Sequence, residues 1–188
     1  MSSKHRRLFF ALWPDEKTRR ELAALQTLLP QGQGRWVHGA DLHLTLQFLG
    51  QVAPDRQACI SRAAADVEGQ AFELCITHLD FWSRPRVAWA GPDQVPEALS
   101  RLVADLGGHL ESCGFPRESR TYRPHVTLVR KAPPSGVIAL EKPITWPVED
   151  FVLVESRPGG EPPWYRVVER WPLDAGPEMT FSGQGLTS

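Results

Sequence analysis

The chain has 188 residues, and its 21 basic and 22 acidic side chains nearly cancel, giving a formal net charge of −1 at pH 7. A near-neutral chain is not a general polyanion binder with a large basic face, although it has room for a local basic pocket. This length suits one domain, or two small lobes that share a core, and it buries enough surface to fold without disulfides or metals.

The cysteines and the N-terminus exclude two further classes of protein. Cys59, Cys75 and Cys113 are odd in number and widely spaced, which fits neither a metal-ligand cluster nor a disulfide framework. We therefore expect reduced thiols in a cytoplasmic protein, with Cys59 and Cys75 in the core. The first apolar run stops at Pro14, which is too short for a signal peptide or a membrane span.

The first part of the chain alternates between strand and helix patterns. Residues 7–13 alternate as a strand, and residues 14–29 have apolar side chains at helical spacing with acidic residues in the first turn. A short strand over 35–37 and a strict apolar–polar alternation over 43–50 follow, which predicts a strand with Leu44, Leu46 and Phe48 on its core face.

The remaining patterns predict two more helices and several strands. The predicted elements are a helix over 54–68, strands over 72–80 and 86–90, a helix over 96–113, a polar loop over 114–124, a strand over 125–129, a loop over 131–146, and a hairpin of strands 148–156 and 164–171. Residues 177–188 are polar and rich in turn residues, which predicts a disordered tail after a domain of residues 1–176.

Two strands carry the same short motif, His-x-Thr-Leu, at His43 and at His125. Side chains two residues apart on a strand share a face, so each histidine lies beside a threonine, Thr45 or Thr127. One such motif is more often a structural histidine, but two copies on two strands indicate a shared cleft. Histidine titrates near neutral pH, so a pair of them supplies an acid and a base for chemistry on a phosphate, with hydroxyls as donors.

The motifs and their surroundings resemble the two-histidine phosphoesterases, specifically the RNA 2′,3′-cyclic phosphodiesterases, also called 2′-5′ RNA ligases. The resemblance includes the opening strand at 7–12, the block at 35–50 and the second motif at 124–130. It implies a bilobal α+β fold with two antiparallel-rich sheets related by a pseudo-twofold axis. Helices are expected on the outer faces, and the motifs in a central cleft.

By this resemblance, the chain opens an RNA 2′,3′-cyclic phosphate to a 2′-phosphomonoester. The substrate is the end of an RNA, such as a tRNA fragment, or a nucleoside 2′,3′-cyclic phosphate. We assign His125 as the base for water and His43 as the acid for the 3′ oxygen, although the symmetry of the motifs permits either order. Thr45 and Thr127 are the candidate phosphate donors. No cofactor or metal is expected, and a zinc site at the two histidines lacks a third ligand.

Other predicted substrate contacts have alternative interpretations. Either Phe9 or Phe10 is a candidate for stacking on a base, and core packing is the alternative. Arg130 follows the second motif, but strict alternation points it away from the cleft unless the strand ends or bulges there. Three loop arginines, Arg117, Arg120 and Arg123, either grip an RNA backbone or belong to a solvated loop. The other histidines, His5, His38, His78 and His109, are interpreted as structural or solvated.

Three rival functions come from other classes. The same site would catalyse the reverse reaction, 2′-5′ ligation of RNA halves. A catalytically idle domain that binds RNA ends, or a structural α+β domain with satisfied histidines, would also carry these patterns. The chain is expected to be a monomer with no membrane partner.

Overall fold

The computed structural model describes residues 5–175, in which three helices lie against a single antiparallel sheet. Nine strands form the sheet: β1 Arg6–Leu12, β2 Arg35–Trp36, β3 Leu44–Val52, β4 Phe72–Trp82, β5 Val87–Gly91, β6 Val126–Arg130, β7 Ile138–Val148, β8 Asp150–Ser156 and β9 Tyr165–Pro172. The helices are α1 Glu16–Ala24, α2 Gln57–Ala65 and α3 Glu97–Glu111. The expected α+β class is confirmed. None of the described helices is long and apolar enough to cross a membrane.

With the adjoining 3₁₀ turns included, the helices begin and end within about three residues of the predicted bounds. The Asp15 carboxylate caps α1 by accepting a hydrogen bond from the Thr18 backbone N–H at 2.7 Å, which satisfies one of the free donors of the first turn. A 3₁₀ turn at Leu25–Leu28 extends α1 to the predicted end, and another at Pro54–Arg56 precedes α2.

The strand order gives the sheet an internal symmetry. The order is β7-β4-β5-β6-β3-β1-β8-β9, with β2 also paired to β6. A pseudo-twofold axis between β6 and β3 therefore relates four strands on each side. The two sheets implied by the resemblance are joined into one, because β3 and β6 pair at Leu44 and Val126.

One half of the sheet is an insertion into the other. Its outer strands, β4 and β7, are paired from Phe72 and Val148, the two ends of the inserted segment. The other half is built from the chain before and after this segment. The architecture agrees with two lobes that meet at the motif strands.

The two faces of the sheet differ in what covers them. The main core packs the buried leucines of α1 and α3, and Ile60 of α2, against one face, which includes Leu8 and Phe10. The opposite face, which we call the open face, has a smaller cluster containing Phe9 and Ala11. This face carries both motifs.

The predicted loop over 131–146 is wrong in its second half, where β7 begins at residue 138. Pro143 argued against a strand, because proline cannot donate a ladder hydrogen bond. β7 is the last strand of the sheet order, where one set of N–H groups needs no partner, and Ile144, Trp146 and Val148 alternate into the core.

The cysteine prediction is also wrong, in the redox state of two residues and in the burial of the third. Cys59 of α2 and Cys113, just after α3, form a disulfide with a Cα–Cα distance of 5.8 Å. Cys75 is a free thiol and is exposed rather than buried. Spacing along the chain did not reveal the pair, because the packing of α2 on α3 brings together residues 54 positions apart. The predicted tail at 177–188 lies outside the described residues.

Candidate active site

The two motifs lie side by side at the centre of the sheet. Leu44 and Val126, which directly follow the two histidines, are paired residues of β3 and β6. Continuing this antiparallel register by one residue places each histidine opposite the threonine of the other strand. Directly opposite side chains have Cβ atoms about 4.5–5.5 Å apart, so the two histidines and two threonines form a compact cluster on the open face.

Both imidazoles have the same orientation and tautomer. Nδ1 of His43 lies 2.6 Å from the carbonyl oxygen of Asp41, and Nδ1 of His125 lies 2.8 Å from that of Arg123. A carbonyl only accepts, so Nδ1–H is the donor in each case and Nε2 carries the lone pair. Each Nε2 is therefore available to take up or return a proton.

The histidines are neutral in the free site. Burial lowers the pKa of His43 to about 4, with the positive charge of Arg130 and the proximity of His125 adding to the shift. Burial and Arg130 also lower the pKa of His125. A bound phosphate anion favours the protonated form, so substrate binding raises the pKa of whichever histidine acts as the acid.

Aromatic rings explain this desolvation. The His43 ring stacks on Trp13 with centroids 5.8 Å apart, and it also contacts Phe9 at 4.9 Å and Tyr165 at 5.1 Å. On the other side of the cluster, Trp82 meets the His125 ring edge-on at 4.5 Å. The rings fix both imidazoles and shield part of each from water, and both histidines remain half-buried rather than fully buried.

A buried carboxylate that was not predicted from the sequence supports His43. Asp41 is 1% exposed and its carboxylate accepts hydrogen bonds from the backbone N–H groups of Trp164, at 2.9 Å, and Tyr165, at 3.1 Å. Its own carbonyl orients His43. Asp41 thus ties the start of β9 to the first motif, and its proximity to the histidine, two residues later, is the only sequence signal for this role.

A second link joins the two motif strands. The Tyr122 hydroxyl donates a hydrogen bond to the Thr45 carbonyl at 2.9 Å, from the loop that leads into β6. Burial raises the pKa of this phenol, which therefore stays protonated and donating. This bond fixes the first motif relative to the segment that precedes the second.

A bulge decides the direction of Arg130. Between β5 and β6 the register shifts, so that Leu128 is an extra residue on β6. Leu128 and Val129 are both buried in the main core, which restores Arg130 to the open face with Thr127. Strict alternation in the sequence predicted that Arg130 points away from the cleft. The observed direction agrees with the alternative in which the strand bulges before Arg130. β3 shifts in the same way at Leu46 against β1.

The predicted phenylalanine contacts need correction. Phe10 is 0% exposed and packs against Phe151 and Trp171 in the main core, so it does not reach a base. Phe9 is on the open face but only 3% exposed, because it lies against His43 and Phe48. Phe48 is 66% exposed beside the first motif, and alternation in β3 had assigned it to the core.

The loop arginines are largely occupied. Arg117 lies 3.4 Å from the Glu111 carboxylate and Arg120 lies 2.8 Å from that of Glu118. These ion pairs favour the solvated-loop interpretation for both. Among the described contacts, Arg123 interacts with His125 through its backbone carbonyl, which accepts the Nδ1–H, and not through its side chain. His78 lies 3.0 Å from Asp93 and its ring packs edge-on against Trp89, contacts that fit the structural interpretation.

Comparison with known proteins defines the class of this fold and site. The model of the 2′-5′ RNA ligase superfamily matches residues 13–160, and the chain belongs to this family. It is 31% identical over 175 residues to the RNA 2′,3′-cyclic phosphodiesterase of Escherichia coli K12, covering 91% of this chain and 98% of that protein. It is 33% identical over 180 residues to the Thermus thermophilus protein of the same name, covering 89% and 90%.

A solved structure agrees with this assignment. The crystal structure of E. coli LigT complexed with 3′-AMP superposes with a TM-score of 0.83 at 29% identity, covering 90% of this chain and 99% of LigT. The family predicted from the two motifs is thus confirmed.

Proposed function

We propose that this chain hydrolyses the 2′,3′-cyclic phosphate end of RNA to a 2′-phosphomonoester without a metal ion. The observation that carries the proposal is the central cluster, in which each histidine lies across from a threonine of the other motif strand. Both imidazoles hold Nδ1–H on a carbonyl and keep Nε2 free. The names of the relatives in E. coli and T. thermophilus support the same chemistry.

The reaction needs one proton removed and one delivered. Nε2 of His125 takes a proton from a water molecule while the oxygen of that water forms a bond to phosphorus. The bond from phosphorus to the 3′ oxygen breaks, and protonated His43 gives its proton to that oxygen. The phosphate keeps its 2′ ester. This order of base and acid is our assignment, since the pseudo-twofold arrangement also permits the reverse.

The threonines are the proposed phosphate donors. Two residues along a strand span about 7 Å, and the opposite strand is nearer still, so both hydroxyls reach one phosphate placed between the histidines. Donors aimed at non-bridging oxygens stabilise the charge that develops there. Arg130, on the same face, is the proposed cation for the nucleotide, and exposed Phe48 is a surface on which a base can stack.

The same groups serve 2′-5′ ligation in reverse. Hydrolysis requires only water as the second reactant, whereas ligation requires a second RNA end held in line. We therefore propose hydrolysis as the main activity. Since one chain supplies every group of the cluster, we further propose a monomer that acts on RNA ends, such as tRNA fragments.

Turnover of cytidine 2′,3′-cyclic phosphate in EDTA tests the proposal, with phosphorus NMR against authentic 2′ and 3′ monophosphates to identify the product. We expect a 2′ product at full rate in EDTA. Activity that is lost in EDTA and restored by a divalent ion, or a 3′ product, would contradict it.

A further inference from the structure

One end of the site gathers cations from three separate segments of the chain. These are Arg35 of β2, Arg84 and Arg86 of the turn between β4 and β5, and Arg130 and Lys131 at the end of β6. We call this set the basic end of the cleft. In the part of the chain that the structure describes, none of the five forms an ion pair, whereas eight arginines elsewhere do.

Strand register places Arg35, Arg130 and Trp82 in one row across the sheet, and the other three cations flank this row along the chain. Arg130 is paired with Arg35 on one side and with Val87 on the other, and Val87 is paired with Trp82. Neighbouring strands lie about 4.8 Å apart, so a single row across four strands holds two cations and a half-buried indole. Trp82 also contacts His125 at 4.5 Å, which makes the row continuous with the catalytic cluster.

Backbone contacts hold the three segments in place. Arg86 accepts a hydrogen bond from the Ala132 N–H at 3.0 Å and returns one from its Nε to the Ala132 carbonyl at 3.2 Å. Gly34, with a φ of +84°, lies just before β2 and lets the backbone there approach β6 closely. A Cβ at this position would lie 2.7 Å from a methyl carbon of Val129. The basic end is thus a fixed feature of the fold.

This arrangement costs stability unless an anion is present. Like charges repel, and none of the ion pairs among the described residues includes any of these five cations. Arg86 and Lys131 also have positive φ values of 65° and 53°, a conformation that non-glycine residues rarely adopt. Strain and unpaired charge of this kind are retained where a ligand uses them.

The chemistry of the proposed substrate indicates which ligand this is. A cyclic phosphate occupies both the 2′ and 3′ oxygens, so it stands only at a 3′ end and the rest of the RNA leaves through the 5′ oxygen. Each further nucleotide adds one phosphate charge and one base. Unpaired cations next to an aromatic ring are the pattern that binds single-stranded nucleic acid.

We propose that the basic end of the cleft binds the RNA strand upstream of the cyclic phosphate, so that the preferred substrate is an oligonucleotide rather than a mononucleotide. This inference rests on the proposed function and adds to it a second binding site, with Trp82 as a stacking surface and the cations on consecutive phosphates.

A charge-removal variant tests this site without touching the catalytic cluster. Arg35→Gln, Arg84→Gln and Lys131→Gln are combined, because all three side chains are exposed and make no described hydrogen bond. For a ten-nucleotide RNA with a cyclic phosphate end, we expect kcat/KM to fall about 10- to 100-fold at low salt. Its salt slope should decrease by about 2, since each lost contact on a single strand contributes about 0.7. Turnover of cytidine 2′,3′-cyclic phosphate should stay within about twofold.

The matched control removes three cations elsewhere. Lys17→Gln, Arg20→Gln and Arg62→Gln lie on α1 and α2 and are exposed, and they change the net charge of the chain by the same three units. A comparable loss in this control, or an equal loss on both substrates in the test variant, would overturn the inference.

A binding measurement separates this inference from the catalytic proposal. If the wild-type chain turns over neither substrate, the proposed function fails, and fluorescence anisotropy with a 5′-labelled ten-nucleotide RNA still tests the site. We expect the test variant to bind this RNA about 10- to 100-fold more weakly than the control variant. Equal affinities would mean that the basic end does not bind RNA.

Discussion

At the scale of single residues, the site depends on two histidines that the fold keeps neutral. Each ring is held by a carbonyl two residues earlier and by aromatic neighbours, so removal of one imidazole leaves the surrounding packing largely intact. A general acid or base contributes about 10²–10⁴-fold to a rate.

We therefore expect His43→Ala and His125→Ala each to lower kcat by about 10²–10⁴-fold on cytidine 2′,3′-cyclic phosphate. Circular dichroism should show a native fold in both variants. An unfolded variant would favour a structural histidine, and a folded variant with full activity would remove that histidine from the mechanism.

The threonines should contribute less than the histidines. A lost hydrogen bond to a charged group is worth about 1.5–3 kcal/mol, which corresponds to about 10–100-fold in rate. Thr45→Val and Thr127→Val keep the β-branched shape and remove only the hydroxyl. We expect each variant to lose about 10–100-fold in kcat/KM with little change in melting temperature. An unchanged kcat/KM would exclude the hydroxyl as a donor.

Arg130 should set the pH dependence as well as substrate binding. Burial, with a smaller contribution from the charge of Arg130, lowers the pKa of both histidines, so the low-pH limb of kcat/KM, where the base becomes protonated, should lie below pH 6.5. Arg130→Ala removes the charge, raises both pKa values and should move this limb to higher pH. Arg130→Lys keeps the positive charge, so the position of the low-pH limb should stay unchanged. It loses the planar guanidinium, so its KM should be nearly as high as that of the alanine variant. A limb that does not move in Arg130→Ala would contradict this account.

At the scale of secondary-structure elements, the start of β9 is held against the first motif by Asp41. Asp41→Asn keeps the size of the side chain but leaves only one carbonyl oxygen for two backbone N–H groups. A buried donor without a partner costs about 1–3 kcal/mol. We expect the free energy of unfolding in urea to fall by about that amount, and kcat to fall because Tyr165 contacts the His43 ring. Unchanged stability would show that the carboxylate is not needed as a double acceptor.

The elements themselves were largely readable from the sequence, because apolar periodicity reflects which face is buried. The three helices and most strands follow it to within a few residues. The exceptions are local. The prolines of β7 are tolerated only because that strand lies at the edge of the sheet. The bulges at Leu46 and Leu128, which reverse the faces of the residues after them, have no signature in residue type. Arg130 and Phe48 were therefore assigned to the wrong face by alternation.

At the scale of the whole molecule, the features that the sequence did not reveal depend on contacts between distant segments. Asp41 contacts Trp164, Cys59 is bonded to Cys113, and the basic end of the cleft combines β2, the turn between β4 and β5, and the end of β6. Net charge averages over the chain and conceals such a local set. A motif of adjacent residues is visible in one sequence, whereas a site assembled from single residues is not.

The disulfide should stabilise the whole fold by restricting the unfolded chain. It joins residues 54 positions apart, and a loop of that length contributes roughly 2–4 kcal/mol. We expect Cys59→Ser with Cys113→Ser, or a reducing agent, to lower the free energy of unfolding by about that amount. Cys75→Ser is the matched control, since that thiol is exposed and free. Equal stability with and without reductant would show that the bond does not form.

The single pairing of Leu44 with Val126 makes catalysis a joint property of the two lobes. Each lobe owns one proton-transferring ring and one hydroxyl, and each ring faces the hydroxyl of its neighbour. Neither lobe by itself can place an attacking water and a leaving oxygen on opposite sides of one phosphorus. A small separation of β3 from β6 would move both histidines out of reach of one phosphate at the same time. The rate of phosphate cleavage therefore reports how closely the two lobes are packed together.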